Sequence, residues 1–401
     1  MEQPAAGRAP AAAQPRVTSV FSGPTIVAAC VAFMLIGALN AFYGPLLPIF
    51  EARYGFGPSV ASTVLSAHAV GGFVGVFAAS QALRFLSNRA FLVLSTGALG
   101  IGCLVMALAP GWWAVVLGAG LVGFGFGALD LGINQLFAYS FGARAGTLLN
   151  VLNGVYGIGA VCGPLLIAAA GDSAGLVYLG CAGLAAALLV PLSRVRGEGT
   201  PSDGAGSTGA GRTGRGVYVL IVALFAVGYM LYVGVEAGVG GWEPTHLAAL
   251  GLSATSASSA TAVFWLGLTL GRFLIAPIAL RVRPERIVLG SLIAGIVTLG
   301  LATIAGLAPI AYAATGLAIA PIYPTGLAWL ARSTPGRRTP TVYLVAAAMV
   351  GAAVFPPLVG AAIQALGATV TPLALLIIAV GSATAFGGVA LTGRRVTPVA
   401  R

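Results

Sequence analysis

Apolar residues along this chain form long blocks, and polar residues are gathered into short segments between the blocks. A block of about 20 apolar residues is the length that an α-helix needs to cross the hydrocarbon core of a bilayer. A helix also satisfies all of its own backbone hydrogen bonds inside lipid. The sequence therefore predicts twelve transmembrane helices, at about 24–50, 58–83, 90–109, 112–140, 145–170, 174–193, 217–247, 254–280, 286–306, 309–331, 339–365 and 369–391.

A polar segment rich in glycine and serine interrupts the blocks near the middle of the chain and has the composition of a flexible linker. It separates six predicted helices from six others. We therefore predict an all-α membrane protein of two six-helix halves, with polar ends that are expected to be disordered. In chain order the predicted regions are a tail at 1–22, the first half at 23–193, the linker at 194–216, the second half at 217–392 and a tail at 393–401.

The two predicted halves repeat each other weakly. At a constant offset of 197 residues, Gly37 corresponds to Gly234, and Arg84 corresponds to Arg281. Both halves begin on the same side of the membrane, so the repeats are parallel. Parallel repeats of this kind are typical of secondary transporters, whose binding site lies between the halves near the middle of the bilayer.

Composition and charge support this interpretation and exclude others. The chain is 58% apolar and 7% charged, with a mean hydropathy of +1.00, which excludes a soluble protein. All 20 basic residues are arginines, and eighteen of them fall in tails and loops on one predicted side. This asymmetry predicts cytoplasmic termini in a bacterial inner membrane and explains the net charge of +11 without nucleic-acid binding.

One acidic residue stands out within the fourth predicted helix. Asp130 is the sole charged residue between Trp112 and Ser140. A carboxylate at membrane depth costs a few kcal/mol, so it marks a substrate or proton site by default. Asn134 follows one helical turn later and shares its face. The alternative is a structural carboxylate that pairs with an arginine distant in sequence.

Amide and hydroxyl groups in the fifth predicted helix suggest what could be bound. Asn150, Asn153 and Tyr156 are spaced three apart and form a stripe on one helix face. Together with Asn134 they offer donors and acceptors that could replace water around the hydroxyls of a sugar. The alternative is that these amides hold neighbouring membrane helices together.

The second half offers a different set of candidates. Glu236, in the seventh predicted helix, is a second candidate proton site, and a structural salt bridge is its alternative. Arg272, in the eighth, could pair with either acid or reach to the cytoplasmic face. Tyr323 lies between Pro321 and Pro324, which should break or bend the tenth helix and expose this tyrosine to the central cavity.

Polar and aromatic residues near the end of the seventh predicted helix are expected at the outer membrane surface. Glu243 and His246 are placed at the outer mouth of the protein, and Trp242 is interpreted as an interfacial anchor. The four cysteines all lie in apolar blocks, so neither a disulfide nor a metal site is expected.

Two basic loops and two longer motifs carry a resemblance to a known family. The loops RFLSNR (84–89) and RVRPER (281–286) occupy corresponding places in the two halves. The longer motifs are GALDLGINQ, followed by LLNVLNGVYGIGAVCGP, and YVGVEAGVGGWEPTHL. Over its whole length the chain resembles the major facilitator superfamily, and the motifs resemble its fucose–galactose–glucose:proton symporters.

The resemblance implies roles for individual residues. Asp130 takes the place of the essential acid, Asn134 that of the amide after it, and Asn150 and Asn153 the polar positions of the fifth helix. The family also has a second carboxylate in its first helix, where this chain offers Asn40. The second buried acid is instead Glu236, which separates this chain from the family pattern.

Taken together, the sequence predicts the major facilitator fold and a secondary active transporter. The expected activity is proton-coupled uptake of a sugar or a related polar solute by alternating access, with sodium as the other possible coupling ion and no other cofactor. The alternative is a proton-driven exporter of small lipophilic compounds. A receptor would carry a larger soluble extension, and no nucleophile, metal cluster or phosphate loop indicates an enzyme. The expected partners are a sugar-like solute and the lipid bilayer, and the protein is expected to be a monomer.

Overall fold

The computed structural model describes residues 20–141, 145–197, 215–279, 281–334 and 341–396. Within these residues every regular element is helical. The first half contains α1 (Gly23–Ala41), α2 (Tyr43–Tyr54), α3 (Pro58–Ala61), α4 (Thr63–Ala82), α5 (Asn88–Leu108), α6 (Trp112–Ser140), α7 (Ala145–Ala170) and α8 (Ala174–Leu192). The second contains α9 (Arg215–Ala249), α10 (Ala254–Ala279), α11 (Pro284–Leu301), α12 (Ala308–Ile319), α13 (Ile322–Ser333), α14 (Thr341–Leu366) and α15 (Thr371–Val396).

The helices of the described residues make twelve passes, as predicted. Eleven stretches of the described residues are long and apolar enough to cross a membrane. One of them, Leu148–Leu192, contains both α7 and α8, which are separated by a 3-10 turn at Gly171–Ser173. Gly171 has a φ of 51°, a left-handed conformation that glycine adopts without a steric penalty and that ends a helix. The stretch therefore turns back on itself and accounts for two passes.

The ends of the halves differ from the predicted bounds. Helix α9 already begins at Arg215, inside the predicted linker, and α15 continues to Val396, inside the predicted tail. Residues 1–19, 198–214 and 397–401 lie outside the described part of the chain, so the disorder expected there is not addressed by the structure.

Three of the passes are broken helices. The first is divided at Phe42 between α1 and α2, and the second at Ser62 between α3 and α4. In the tenth pass α12 ends at Ile319 and α13 begins at Ile322, which confirms the break predicted from Pro321 and Pro324. A proline lacks the amide hydrogen that would continue the helix, so the backbone changes direction there.

Glycines allow the helices of the first half to touch through their backbones. A Cβ added at Gly123 would overlap the carbonyl of His68, and one added at Gly127 would overlap the carbonyl of Gly72. Helices α4 and α6 therefore pack without intervening side chains. Gly37 brings α1 equally close to the backbone of Tyr156 on α7. In lipid, where the hydrophobic effect does not join helices, such close contact supplies the attraction.

The two halves touch at the end of the bundle that lies away from the linker, and also along α7 and α10. Gly44 on α2 abuts the carbonyl of Gly240 on α9, about 38 Å along that helix from Arg215. Ser66 Oγ on α4 donates a hydrogen bond of 2.6 Å to the carbonyl of Ala353 on α14. Gly360 on α14 also packs against Pro58 and Ser62. We call these three contacts the distal closure.

Enlarging a glycine at a backbone contact should destabilise the protein. We expect Gly127→Val to force α4 and α6 apart at a cost of about 1–3 kcal/mol, the range for overpacked interiors. Thermal unfolding of the purified protein in detergent should then occur several degrees lower. Gly180→Val on α8 is the matched control, because nothing lies within 4 Å of a Cβ added there. Equal melting temperatures for the two variants would contradict this account of the α4–α6 contact.

Candidate functional site

Asp130 and Asn134 act as one polar unit on α6. Asn134 Nδ2 donates to Asp130 Oδ1 at 3.2 Å and to the Asp130 carbonyl at 2.9 Å. Both side chains are half-buried. The amide therefore supports the carboxylate directly, and its own carbonyl oxygen stays available to another donor.

A second polar group lies on α9 and α10. Glu236 accepts a short hydrogen bond from the hydroxyl of Tyr232, one turn earlier on the same helix. Arg272 Nη2 on α10 lies 3.9 Å from Glu236 Oε1, and the two side chains are 28% and 17% exposed. Arg272 Nε is buried and has no hydrogen-bond partner among the described residues. The guanidinium thus retains an unused donor for another group.

Side chains from both halves converge on these charges. The hydroxyl of Tyr156 on α7 interacts electrostatically with Arg272, Glu236 and Asp130. Tyr323 on α13 interacts with the same three groups. We call these five residues the central cluster. Two of its helices, α6 and α7, belong to the first half, and three, α9, α10 and α13, belong to the second.

Asn40 on α1 adjoins the central cluster, and its side chain interacts with the hydroxyl of Tyr156. The close contact of Gly37 with the backbone of Tyr156 explains this position, because Gly37 precedes Asn40 by one turn. Asn40 therefore stands beside the acids at the place where the resemblance would put a carboxylate.

The break between α12 and α13 positions Tyr323. Its carbonyl accepts a 2.6 Å hydrogen bond from the hydroxyl of Tyr229 on α9. The two rings meet edge to face, with centroids 5.4 Å apart. The hydrogen bond and the ring contact together hold the start of α13 against α9.

Asn150 and Asn153 lie apart from the central cluster. Both side chains are exposed, and Asn153 Nδ2 donates to the carbonyl of Leu149 in its own helix at 2.9 Å. Of the predicted stripe on α7, the structure brings only Tyr156 to the acids.

Two residues of the site region were not singled out from the sequence. Tyr232 binds Glu236, and the spacing of four residues before an acid was a usable signal. Phe126 lies one turn before Asp130 on α6, with its ring 6.4 Å from that of Tyr156. It lies in a run of alternating glycines and phenylalanines, whose pattern does not predict which phenylalanine faces the site.

The expectation that the end of α9 lies at an exposed mouth is wrong. Glu243 and Trp242 are 0% exposed, and His246 is 2% exposed. Trp242 Nε1 donates to the carbonyl of Pro356 on α14 at 2.8 Å, which is a packing role rather than an interfacial one. His246 Nδ1 lies 3.0 Å from the hydroxyl of Tyr312 on α12. The distal closure buries this turn of helix between the two halves.

The charges of the central cluster do not balance. Arg272 pairs with Glu236 and also interacts with Asp130, so one guanidinium serves two carboxylates. In an interior of low dielectric constant, one bound proton would make such a group neutral. Among the described residues, no group of three His, Cys, Asp or Glu side chains could hold a metal ion.

Solved structures of low sequence identity share this fold. The nucleoside transporter NupG aligns with a TM-score of 0.70 and 15% identity, covering 92% of this chain and 98% of its own. The xylose transporter XylE from E. coli aligns at 0.70 and 13%, covering 92% and 98%. A POT family transporter in complex with a thioalcohol-conjugated peptide aligns at 0.74 and 12%, covering 94% and 96%.

Sequence comparison supplies the family. No curated protein sequence matches the chain. The profile of the Major Facilitator Superfamily matches residues 29–237, more than half of the chain and the part that carries Asp130, Tyr156 and Glu236. With a helical bundle of twelve passes and a polar cluster between its halves, the chain belongs to the Major Facilitator Superfamily and is a transporter rather than an enzyme.

Proposed function

We propose that this transporter couples the movement of a proton to the movement of a sugar-like polar solute. The observation that carries the proposal is the shared guanidinium: Arg272 faces Glu236 in its own half and Asp130 in the other. When a proton binds to one of the two carboxylates, Arg272 pairs with the other, which is still ionised. A change of that kind is what a coupled transporter must link to its conformation.

The proposed coupling follows from where the charges sit. With a proton on Asp130, Arg272 is satisfied by Glu236, and no ion pair joins the halves. Without it, Asp130 competes for Arg272 and attracts the second half toward the first. Protonation of Asp130 thus changes the electrostatic attraction between the two rigid bodies whose rocking gives alternating access.

The proposed solute is inferred from the groups beside the acids. Asn134, Asn40 and the hydroxyl of Tyr156 offer donors and acceptors that suit a ring of hydroxyls. The rings of Tyr323 and Phe126 could pack against the C–H faces of a sugar. The resemblance to sugar–proton symporters supports this choice. Nucleosides and xylose, which the similarly folded NupG and XylE are named for, are hydroxylated solutes too.

Asn150 and Asn153 enter the proposal as an access path rather than as part of the central cluster. Both are exposed and lie nearer the start of α7 than Tyr156, Asn153 by one turn and Asn150 by two. A polar solute could meet these amides before it reaches Tyr156.

The remaining parts of the proposal concern the setting. The arginine asymmetry supports cytoplasmic termini in a bacterial inner membrane, and the protein is proposed to act as a monomer with a proton, or else sodium, as the coupling ion. The second candidate function is proton-driven export of lipophilic compounds, which the rings of Phe126, Tyr156 and Tyr323 near the acids favour.

Asp130→Asn should separate solute binding from proton movement. The substitution keeps the size of the side chain and a group that can bond Asn134, but it cannot carry a proton. We expect wild-type proteoliposomes to alkalinise the external medium when one of a panel of hexoses, 6-deoxyhexoses, pentoses or nucleosides is added. The variant should bind that solute and move no protons.

The matched control for this measurement is Glu285→Gln, which removes an acid from an ion pair with Arg283 at the edge of the bundle. It should transport normally. If Asp130→Asn still moves protons with the solute, Asp130 is not the coupling group. If no solute in the panel gives a signal but hydrophobic cations drive proton exchange, export replaces uptake.

Neutralising both members of the Glu236–Arg272 pair should harm stability less than removing the arginine alone. Removing one partner of a buried ion pair costs about 3–5 kcal/mol, and less is expected here because the Arg272 side chain is 28% exposed. Arg272→Gln leaves two carboxylates without a cation, so its melting temperature should fall clearly. The double variant Glu236→Gln with Arg272→Gln should recover part of that loss. A double variant less stable than the single one would show that Arg272 acts by packing rather than by charge.

A further inference from the structure

Glu243 is a buried acid that the proposed coupling does not use. It lies two turns beyond Glu236 on α9 and is 0% exposed. The two glutamates differ in every contact: Glu236 has Arg272 and Tyr232, whereas neither carboxyl oxygen of Glu243 has a hydrogen-bond partner among the described residues. A buried ionised carboxylate without a partner is strongly unfavourable, whereas a neutral acid pays far less to be buried.

The groups that interact with Glu243 are two hydroxyls, those of Thr261 and Tyr312. Thr261 on α10 faces the carboxyl group and interacts with it, and its hydroxyl also lies 3.5 Å from the carbonyl of Ala257, which is long for a hydrogen bond. The hydroxyl of Tyr312 on α12 interacts with Glu243 electrostatically and is hydrogen-bonded to His246. An ionised carboxylate can only accept, but a protonated one brings its own donor and could bond the oxygen of Thr261.

No cation compensates for the charge either. Within the described part of the chain, the ion pairs are Arg272–Glu236 and Arg283–Glu285, and neither includes Glu243. Tyr312 is the titratable group that faces it from another helix. Thr261 on α10 and Tyr312 on α12 are the groups that interact with Glu243 from neighbouring helices, and neither carries a positive charge.

The same turn of α9 forms part of the distal closure. Gly44 on α2 packs against the carbonyl of Gly240. A Cβ added to Gly44 would lie 3.5 Å from the side chain of Pro244, the residue after Glu243. Trp242, the residue before it, packs against Gly360 on α14. The burial of Glu243 therefore accompanies the closed arrangement of the two halves at this end.

We propose that Glu243 is a second proton-binding site, separate from the central cluster, and that a proton bound there stabilises the distal closure. In the closed state Glu243 is dry and holds its proton firmly. Opening the distal end would bring water to α9, and the hydrated acid would release the proton more easily. Because the closed state binds the proton more tightly, lowering the pH favours closure and raising it favours opening, by up to about tenfold per pH unit for one proton.

Accessibility of the distal closure can be measured on the purified protein without knowing its solute. Ser62 is 0% exposed and lies at the closure, where a Cβ on Gly360 would meet its Oγ at 3.1 Å. Ser62→Cys should react with a water-soluble maleimide only when the distal end opens. Thr63→Cys, at the more exposed next residue, corrects for the ordinary rise of thiol reactivity with pH. The parent protein, with its four native cysteines, gives the background.

The expected result is a Ser62→Cys to Thr63→Cys labelling ratio that rises several-fold between pH 6 and pH 9, within the limit of about tenfold per unit for one proton. Glu243→Gln should hold the ratio low and independent of pH, because the amide imitates the protonated acid. Glu243→Met is a second neutral variant if the first does not fold, and Glu243→Asp, which keeps the acid, should retain the pH dependence.

Three outcomes would overturn the inference. One is a ratio that does not change with pH in the wild-type background. Another is an unchanged pH dependence in a folded Glu243→Gln or Glu243→Met protein. The third is a pH dependence that Asp130→Asn abolishes and Glu243→Gln does not, which would assign the effect to the central cluster. Since no solute is involved, failure of the proposed sugar coupling would leave this test unaffected.

Discussion

The interior of a bilayer offers no hydrogen-bond partner, and this constraint governs each polar feature of the protein. The backbone meets it by forming helices. The hydroxyl of Tyr229 meets it by donating to the carbonyl of Tyr323. The amide of Asn134 finds its partners in the side chain and the backbone carbonyl of Asp130. Against this background, groups without a partner are informative. Arg272 Nε and the two oxygens of Glu243 are among the buried side-chain atoms that have no hydrogen-bond partner in the described part of the chain.

The two acids of α9 show how one helix can hold the same side chain for different purposes. Glu236 contacts an arginine and a tyrosine at the interface of the halves. Glu243 has neither, so its charge state must follow its access to water. Two acids whose surroundings differ so strongly can respond to different steps of one conformational cycle.

The passes and the break near Tyr323 could both be predicted, because each depends on local composition: the length of the apolar blocks and the prolines. The convergence of Asp130, Glu236 and Arg272 could be suspected, since each is a charge in an apolar block. Burial of Glu243 and the exposed positions of Asn150 and Asn153 could not be predicted. These helices are apolar on nearly every face, so no periodicity tells which face turns inward or how the helix ends pack.

The backbone contact between α4 and α6 has a mechanical consequence. Where Gly127 touches the carbonyl of Gly72 there are no side chains to change rotamer and absorb a displacement. We therefore expect α4 and α6 to move together. Helix α4 carries Ser66, which bonds α14 at the distal closure, and α6 carries Asp130. A shift of α4 at the distal closure would therefore change the distance between Asp130 and Arg272, even if the helices themselves kept their shape.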